Sequence, residues 1–147
     1  MPIVSNEVTI EGVQTDEIWT VLCDFERYPD LMEDVLSVTY VSRDKLTSIS
    51  DWRILLNGSE MSWRERDCYQ DNKVVEFEQI EGDLEIWRGS WAIIEEGENA
   101  LVRLEVEFDI GIPSLAATLD PIGIRAIKTN SLQMLNAIRA RSLSVRN

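Results

Sequence analysis

The sequence contains no histidine and only two cysteines, Cys23 and Cys68. The lack of histidine excludes the most common general base, the serine–histidine and cysteine–histidine nucleophile pairs, and the most frequent metal ligand. The two cysteines have no CxxC spacing, so neither a disulfide framework nor a zinc site is predicted. Any catalysis must use Arg, Tyr, Asp, Glu or water, and we expect neither a metal nor another cofactor.

Basic residues are also few, 14 against 27 acidic residues, which gives a formal net charge of −13. Such a charge repels nucleic acid and anionic lipid surfaces. No apolar run is long enough to span a bilayer, and the N-terminal segment MPIVSNEVTIEG lacks the basic and apolar regions of a signal peptide. We therefore expect a cytoplasmic protein with neither nucleic acid nor a membrane as its partner.

What is present is the composition of one globular domain: 147 residues, of which 44% are hydrophobic and 28% charged. We predict a single domain over residues 1–147. An alternating first strand ends at Gly12, and a short helix is predicted over about Asp16–Cys23. The segment FERYPDLM follows, in which Pro29 begins a second short helical turn. These two short helices form an elbow.

Strand patterns separated by turn signals occupy the middle of the chain, from Val35 to Ile110, and six strands are predicted there. After Pro113 the apolar period becomes 3.6, which predicts one long helix that is kinked or delayed at Asp120-Pro121. Such a helix can bury its apolar face only on the concave side of the sheet. We therefore predict an α+β helix-grip fold, a bent antiparallel sheet of about seven strands around the C-terminal helix, with an internal cavity.

Two stretches of the predicted sheet and helix are candidates for a ligand surface. In LEIWRGSW, alternation places Trp87, Gly89 and Trp91 on one face. The two indoles are either ordinary core residues or, because the glycine between them leaves room for something flat, part of a binding surface. On the helix, Asn130 and Gln133 lie within the predicted apolar arc, where a buried amide needs a partner from the sheet or from a ligand.

The stretch SWRERD carries charge on both of its faces. Strict alternation divides it into Ser62, Arg64 and Arg66 on one side and Trp63, Glu65 and Asp67 on the other. The pattern alone favours a solvent-exposed ladder of ion pairs. It leaves open that one arginine faces a pocket.

The segments RYPDLM, WRER, IEGDLEIWRGSW and FDIGIP, followed by a helix with Asn130-Ser131, resemble the START-like polyketide cyclase/dehydrase superfamily. This superfamily also contains coenzyme Q-binding proteins and ribosome association toxins. The resemblance covers essentially the whole chain and is strongest to single-domain aromatase/cyclases of bacterial aromatic polyketide pathways. It implies an enzyme, monomeric or homodimeric, that directs aldol cyclisation and dehydration of a poly-β-ketone, which arrives free or on an acyl carrier protein.

The resemblance also assigns site residues. Tetracenomycin-type cyclases have a Trp-x-x-Arg in mid-sheet whose arginine is proposed to polarise a substrate carbonyl, and Trp63 and Arg66 match it. Both can face inward only if a bulge breaks the alternation. The aromatic residue before the elbow proline matches Tyr28, the second predicted catalytic group, and the helix amide matches Asn130.

The remaining predicted substrate contacts are residues of the pocket wall and of the elbow: Leu84, Trp87, Gly89, Trp91, Met32 and Val35. Val35 stands where the family has a tyrosine paired with the arginine, so Tyr28, Tyr40 or an ordered water would have to replace that phenol. Two other functions are open. A non-catalytic carrier of a quinone or another flat lipid would need the pocket but not Arg66, and a ribosome-binding factor is disfavoured by the charge of −13.

Overall fold

The computed structural model describes residues 2–111 and 116–146. Its elements follow in chain order: β1 (Ile3–Glu11), α1 (Thr15–Cys23), a 3₁₀ turn (Phe25–Arg27), α2 (Tyr28–Leu31), β2 (Val35–Arg43), β3 (Thr47–Leu56), β4 (Ser59–Gln70), β5 (Val74–Gly82), β6 (Ile86–Glu96), β7 (Asn99–Asp109) and α3 (Ala116–Arg146). The predicted helix-grip fold and the six strands that follow the elbow are confirmed. No helix within the described residues is long and apolar enough to cross a membrane.

The seven strands form one sheet in the order β1-β7-β6-β5-β4-β3-β2, and every neighbouring pair is antiparallel. Strands β2 to β7 are neighbours in sequence order because short turns join them. Between β3 and β4 the turn residues Asn57 and Gly58 have φ angles of 52° and 79°, the left-handed conformation that a tight hairpin requires at both central positions. This turn faces α3 across a groove.

The core lies between one face of the sheet and α3. Alternate residues of β7 are buried, Val102, Leu104, Val106 and Phe108 among them, as the sequence pattern predicts. The buried face of α3 consists of residues at helical spacing: Ile127, Asn130, Ser131, Met134, Leu135, Ile138 and Ser142. Burial of these apolar side chains, at about 25 cal/mol per Å², is what holds the long helix against the sheet.

The structure corrects the predicted apolar face of the long helix and excludes one of the two alternatives at Asp120-Pro121. Because α3 already begins at Ala116 and continues through Pro121, Asp120-Pro121 does not delay the helix, and a kink there stays a prediction. Gln133, predicted to lie in the apolar arc, is exposed, because the helix packs with a different side toward the sheet than that arc suggested. The predicted start near Pro113 lies outside the described residues.

Candidate functional site

An internal pocket lies between the sheet and α3 and has a volume of about 30 Å³. Its polar lining comes from Glu65, Asn130 and Ser131. Its apolar walls combine aliphatic side chains with five aromatic ones, those of Trp52, Trp63, Phe77, Trp87 and Trp91. This volume has room for about one or two water molecules. In this conformation the pocket can accept a single polar group of a ligand but not a whole polycyclic molecule.

The indole rings of the pocket wall pack on one another. The rings of Trp52 and Trp63 are stacked, with 5.6 Å between their centroids and 7° between their planes. Trp63 also contacts Trp87, at a centroid distance of 5.1 Å. Aromatic pairs of this kind contribute about 0.5–1.5 kcal/mol each beyond the burial of their surface. The wall is therefore formed without a ligand.

A buried carboxyl group, that of Glu65, faces this pocket. Glu65 is 4% exposed, and the indole Nε1 of Trp63 donates to its Oε1 at 2.7 Å. Burial raises the pKa of Glu65 well above its ordinary value, and the hydrogen bond with Asp67 and the charge of Asp67 raise it further, while the bond from Trp63 opposes them. The folded chain thus favours the neutral acid at this position.

Asp67 is the partner of Glu65 and is fully buried. Its Oδ2 accepts hydrogen bonds from the hydroxyls of Ser48 and Ser50, both at 2.8 Å. Burial raises the pKa of Asp67, and the hydrogen bonds from Glu65 and the two serines oppose this rise. Within the described part of the chain, no amide, hydroxyl or indole donates to its other oxygen, Oδ1. Glu65 is therefore the member of this pair that favours the protonated form.

Two further groups in the pocket are hydrogen-bond donors without an acceptor. The indole Nε1 of Trp87 and the amide Nδ2 of Asn130 are both buried, and no acceptor for either is found among the described residues. A buried donor left unpaired costs about 1–3 kcal/mol. They give the pocket two free hydrogen-bond donors beside the acid of Glu65, an arrangement suited to the oxygen of a ligand or of a water molecule.

A larger groove lies on the other side of Asn130 and has a volume of about 510 Å³. Its lining comes from the β3–β4 turn, the segment before β2 and one face of α3: Leu55, Asn57, Gly58, Asp34, Ile122, Arg125, Ala126, Thr129 and Asn130. The volume falls within the range usual for sites that bind small molecules. Asn130 borders both the groove and the internal pocket, so the two spaces lie on either side of this residue.

The prediction that Arg66 faces the pocket is wrong. Arg66 is exposed, on the outer face of β4, and borders a surface depression together with the outward residues Glu76, Glu78 and Arg88. The bulge that would have turned it inward is absent from β4. The register shift between β4 and β5 places its additional residue, Ile80, in β5.

Tyr28 does lie inside, but its hydroxyl is already used. It is fully buried and donates to the backbone carbonyl of Leu22 at 2.5 Å. Burial raises the pKa of Tyr28 well above its ordinary value, so this phenol neither ionises readily nor faces the pocket. Tyr28 therefore has a structural role in the core. This geometry does not support the expectation that Tyr28 replaces the tyrosine that the family has at the position of Val35.

The gap expected at Gly89 is also absent. A Cβ atom at this position would collide with the backbone oxygen of Glu105 on β7 and would approach Cζ of Phe77 on β5 to 2.9 Å. The glycine is therefore required for close packing between neighbouring strands and leaves no room for a ligand.

The other predicted contacts divide into two groups. Trp63, Trp87, Trp91 and Asn130 are brought together around the internal pocket, and their role in binding remains a prediction. Met32 and Val35 are buried and Leu84 is partly buried, but none of these three is among the pocket residues. The sequence reasoning missed Glu65 and Asp67, although strict alternation from Trp63 places both on the same face as the indole.

Comparison with known proteins agrees with this architecture. Residues 12–135 match the family model described as polyketide cyclase/dehydrase and lipid transport. No curated protein matches the sequence significantly. Among solved structures, a protein from Thermus thermophilus is 24% identical, over 99% of this chain and 100% of that chain, with a TM-score of 0.91.

Two further structures share the fold at lower identity. The Zhui aromatase/cyclase from Streptomyces sp. R1128 is 17% identical over 99% of this chain and 96% of its own, with a TM-score of 0.89. Norcoclaurine synthase from Thalictrum flavum is 18% identical over 97% of this chain and 86% of its own, with a TM-score of 0.71. At these identities the similarity establishes the fold alone.

Proposed function

The chain belongs to the polyketide cyclase/dehydrase and lipid transport family, and on that premise we propose that it is an aromatase/cyclase that acts on a poly-β-ketone. The observation that supports this proposal is the buried acid of Glu65, which faces an aromatic-walled pocket beside two unpaired N–H donors. A site that only held an apolar ligand would not need a buried carboxyl pair, whose desolvation costs free energy. Strongly shifted acids of this kind are concentrated in active sites.

The sizes of the two spaces suggest how the substrate binds. The groove of about 510 Å³ can hold a folded polyketide chain, whereas the pocket of about 30 Å³ can hold only its leading oxygen atom. In the proposed complex the chain lies in the groove and one carbonyl oxygen passes Asn130 into the pocket. There it accepts hydrogen bonds from Asn130 and Trp87, and the acid of Glu65 turns its proton from Asp67 toward it.

The chemistry requires one acid and a well-placed nucleophile. An enol carbon of the chain attacks the carbonyl carbon, a carbon–carbon bond forms, and the carbonyl oxygen takes the proton of Glu65 while the enol proton leaves to water in the groove. The resulting hydroxyl then departs as water, with loss of a proton from the adjacent carbon, and the ring becomes aromatic. Holding the two carbons at attack distance contributes most of the rate enhancement, and the donors around the oxygen stabilise the charge that develops on it.

A second candidate is a carrier that binds a flat hydrophobic molecule without changing it. The groove and the indole wall favour it, as does the lipid transport function in the description of the family. A carrier would need Asn130 and the tryptophans for affinity, but it would not need a proton on Glu65. The two functions therefore differ in what they require of this one side chain.

The test replaces Glu65 by Gln in a reaction reconstituted with a minimal polyketide synthase. The amide oxygen can still accept from Trp63 and the amide nitrogen can still donate to Asp67, so the variant should fold. We expect the correctly cyclised fraction to fall by about 100-fold, the lower range for loss of a general acid, with shunt products in its place. Arg66→Ala is the matched control in the same strand and should retain wild-type cyclisation.

Wild-type cyclisation by Glu65→Gln, together with normal binding, would contradict the catalytic role and favour the carrier. Loss of cyclisation in Arg66→Ala would instead show that the outer face of β4 takes part.

A further inference from the structure

The buried carboxyl pair is the end of a longer hydrogen-bonded chain that leads away from the groove. Ser48, which is 1% exposed, donates to Oδ2 of Asp67 at 2.8 Å. The hydroxyl of Tyr69 lies 2.7 Å from the same serine oxygen. Because the single hydroxyl hydrogen of Ser48 is directed at Asp67, Tyr69 is the donor in this contact. Tyr69 is partly exposed, so the chain leads from the buried pair to a residue that borders the protein surface.

A second serine provides a comparison within the same cluster. Ser50 also donates to Oδ2 of Asp67 at 2.8 Å, but its own oxygen accepts from the indole Nε1 of Trp52, which is 3% exposed. An indole N–H is a donor only and cannot pass a proton on. The branch through Ser50 therefore ends in the core, whereas the branch through Ser48 continues to Tyr69.

We propose that Tyr69, Ser48 and Asp67 form a proton relay that supplies Glu65 from the solvent at the end of β4 opposite the groove. Glu65 and Asp67 are 4% and 0% exposed, and a substrate in the groove would close the approach past Asn130. The relay lets Glu65 recover a proton while the groove is occupied. This inference rests on the proposed function for its purpose, but the relay is a property of the ligand-free protein.

Each hop moves one proton by one hydrogen bond. When Glu65 has given up its proton, Ser48 passes its hydroxyl proton to Oδ2 of Asp67, and Tyr69 replaces the proton of Ser48. Water at the surface then protonates Tyr69. Rotation of the Asp67 carboxyl group brings the transferred proton to Glu65, which is again the protonated member of the pair. No oxidant, reductant or other co-reactant is consumed.

The test measures how fast the carboxyl proton of Glu65 exchanges with deuterium in the absence of any ligand. The C=O stretching band of a neutral carboxyl group is followed by infrared spectroscopy after rapid mixing with D₂O, and the band that is missing from Glu65→Gln is assigned to Glu65. We expect Ser48→Ala to slow the exchange by about tenfold, equivalent to about 1.4 kcal/mol in the barrier. Ser50→Ala should leave the rate unchanged, although it also removes one hydrogen bond from the same oxygen.

Tyr69→Phe leaves Ser48 and Asp67 unchanged and should also slow the exchange of the Glu65 proton. If Ser48→Ala does not fold, this variant tests the relay in its place. The relay is wrong if Ser48→Ala and Ser50→Ala exchange at equal rates, if Tyr69→Phe exchanges as fast as the wild type, or if Glu65→Gln loses no carboxyl band. Because no polyketide is present, a failure here is distinct from a failure of the proposed cyclisation, which is measured by product.

Discussion

Trp63 donates its indole N–H to the carboxyl group of Glu65, two residues further along the same strand, at 2.7 Å. Residues two apart in a strand share a face, so this bond is possible only because both side chains point into the core. Arg66, the next residue, must then point to solvent, and it does. The acid rather than the arginine is therefore the polar group that β4 presents to the pocket.

The raised pKa of Glu65 predicts how stability varies with pH. The pKa of Glu65 is higher in the folded than in the unfolded chain. Between these two pKa values the folded chain still holds the proton while the unfolded chain has released it. The free energy of unfolding therefore falls as pH rises above the unfolded pKa of about 4.3. We expect the free energy of unfolding to fall by up to about 1.4 kcal/mol per pH unit from this group, until its folded pKa is passed. Urea denaturation at several pH values measures this slope.

Glu65→Gln should flatten that dependence, because the amide has no proton to lose. Glu60→Gln is a suitable control, since Glu60 is an exposed carboxylate paired with Arg53 at 2.9 Å, and it should leave the downward slope unchanged. Parallel curves for the wild type and Glu65→Gln would show that Glu65 is already ionised in the folded chain.

Asn130 should contribute to binding and not to stability. Its Nδ2 is buried without an acceptor among the described residues, so Asn130→Leu removes an unsatisfied donor and should leave the unfolding free energy unchanged or raise it by about 1 kcal/mol. The affinity for a flat polycyclic ketone, followed by quenching of tryptophan fluorescence, should fall about tenfold. Asn136→Leu, at an exposed position of the same helix, should change neither the affinity nor the quenching, and an equal loss in both variants would place the ligand elsewhere.

Gly89 is expected to tolerate no side chain. In Gly89→Ala the new methyl group would collide with the Glu105 carbonyl and press on Phe77, which should cost about 3 kcal/mol in the free energy of unfolding. In Gly97→Ala the methyl group meets no atom within 4 Å, and only its φ angle of 61° is unfavourable, which costs about 1 kcal/mol. Chemical denaturation compares the two, and equal costs would mean that the space beside Gly89 is open after all.

Filling the groove should block the proposed substrate site. Thr129 lies on the exposed side of α3 and lines the groove, so Thr129→Trp should abolish quenching by the polycyclic ketone and reduce cyclisation while circular dichroism stays unchanged. Thr20→Trp makes the same change in another surface depression, between α1 and the end of α3, and should behave as the wild type. If Thr129→Trp binds and cyclises normally, the substrate does not occupy this groove.

Local patterns in the sequence were sufficient for the secondary structure and for the fold class. The period of two in β7 and the period of 3.6 after it depend on neighbours along the chain, and turn residues such as Asn57-Gly58 mark the ends of strands. Alternation along β4 is likewise enough to place Trp63, Glu65 and Asp67 on one face. The absence of histidine directs attention to carboxyl, phenol and guanidinium groups.

Tertiary structure decided the facts that depend on residues distant in sequence. Which face of β4 is buried follows from where α3 packs, and alternation by itself does not distinguish the two faces, so resemblance favoured Arg66 over Glu65. The space beside Gly89 is filled from β5 and β7, and the burial of Asn130 but not Gln133 is set by the rotation of α3 against the sheet. Periodicity along one strand or helix specifies which residues lie together on a face, but only packing between elements determines what that face contacts. For this reason the fold could be predicted from the sequence, whereas the acid in the pocket could not.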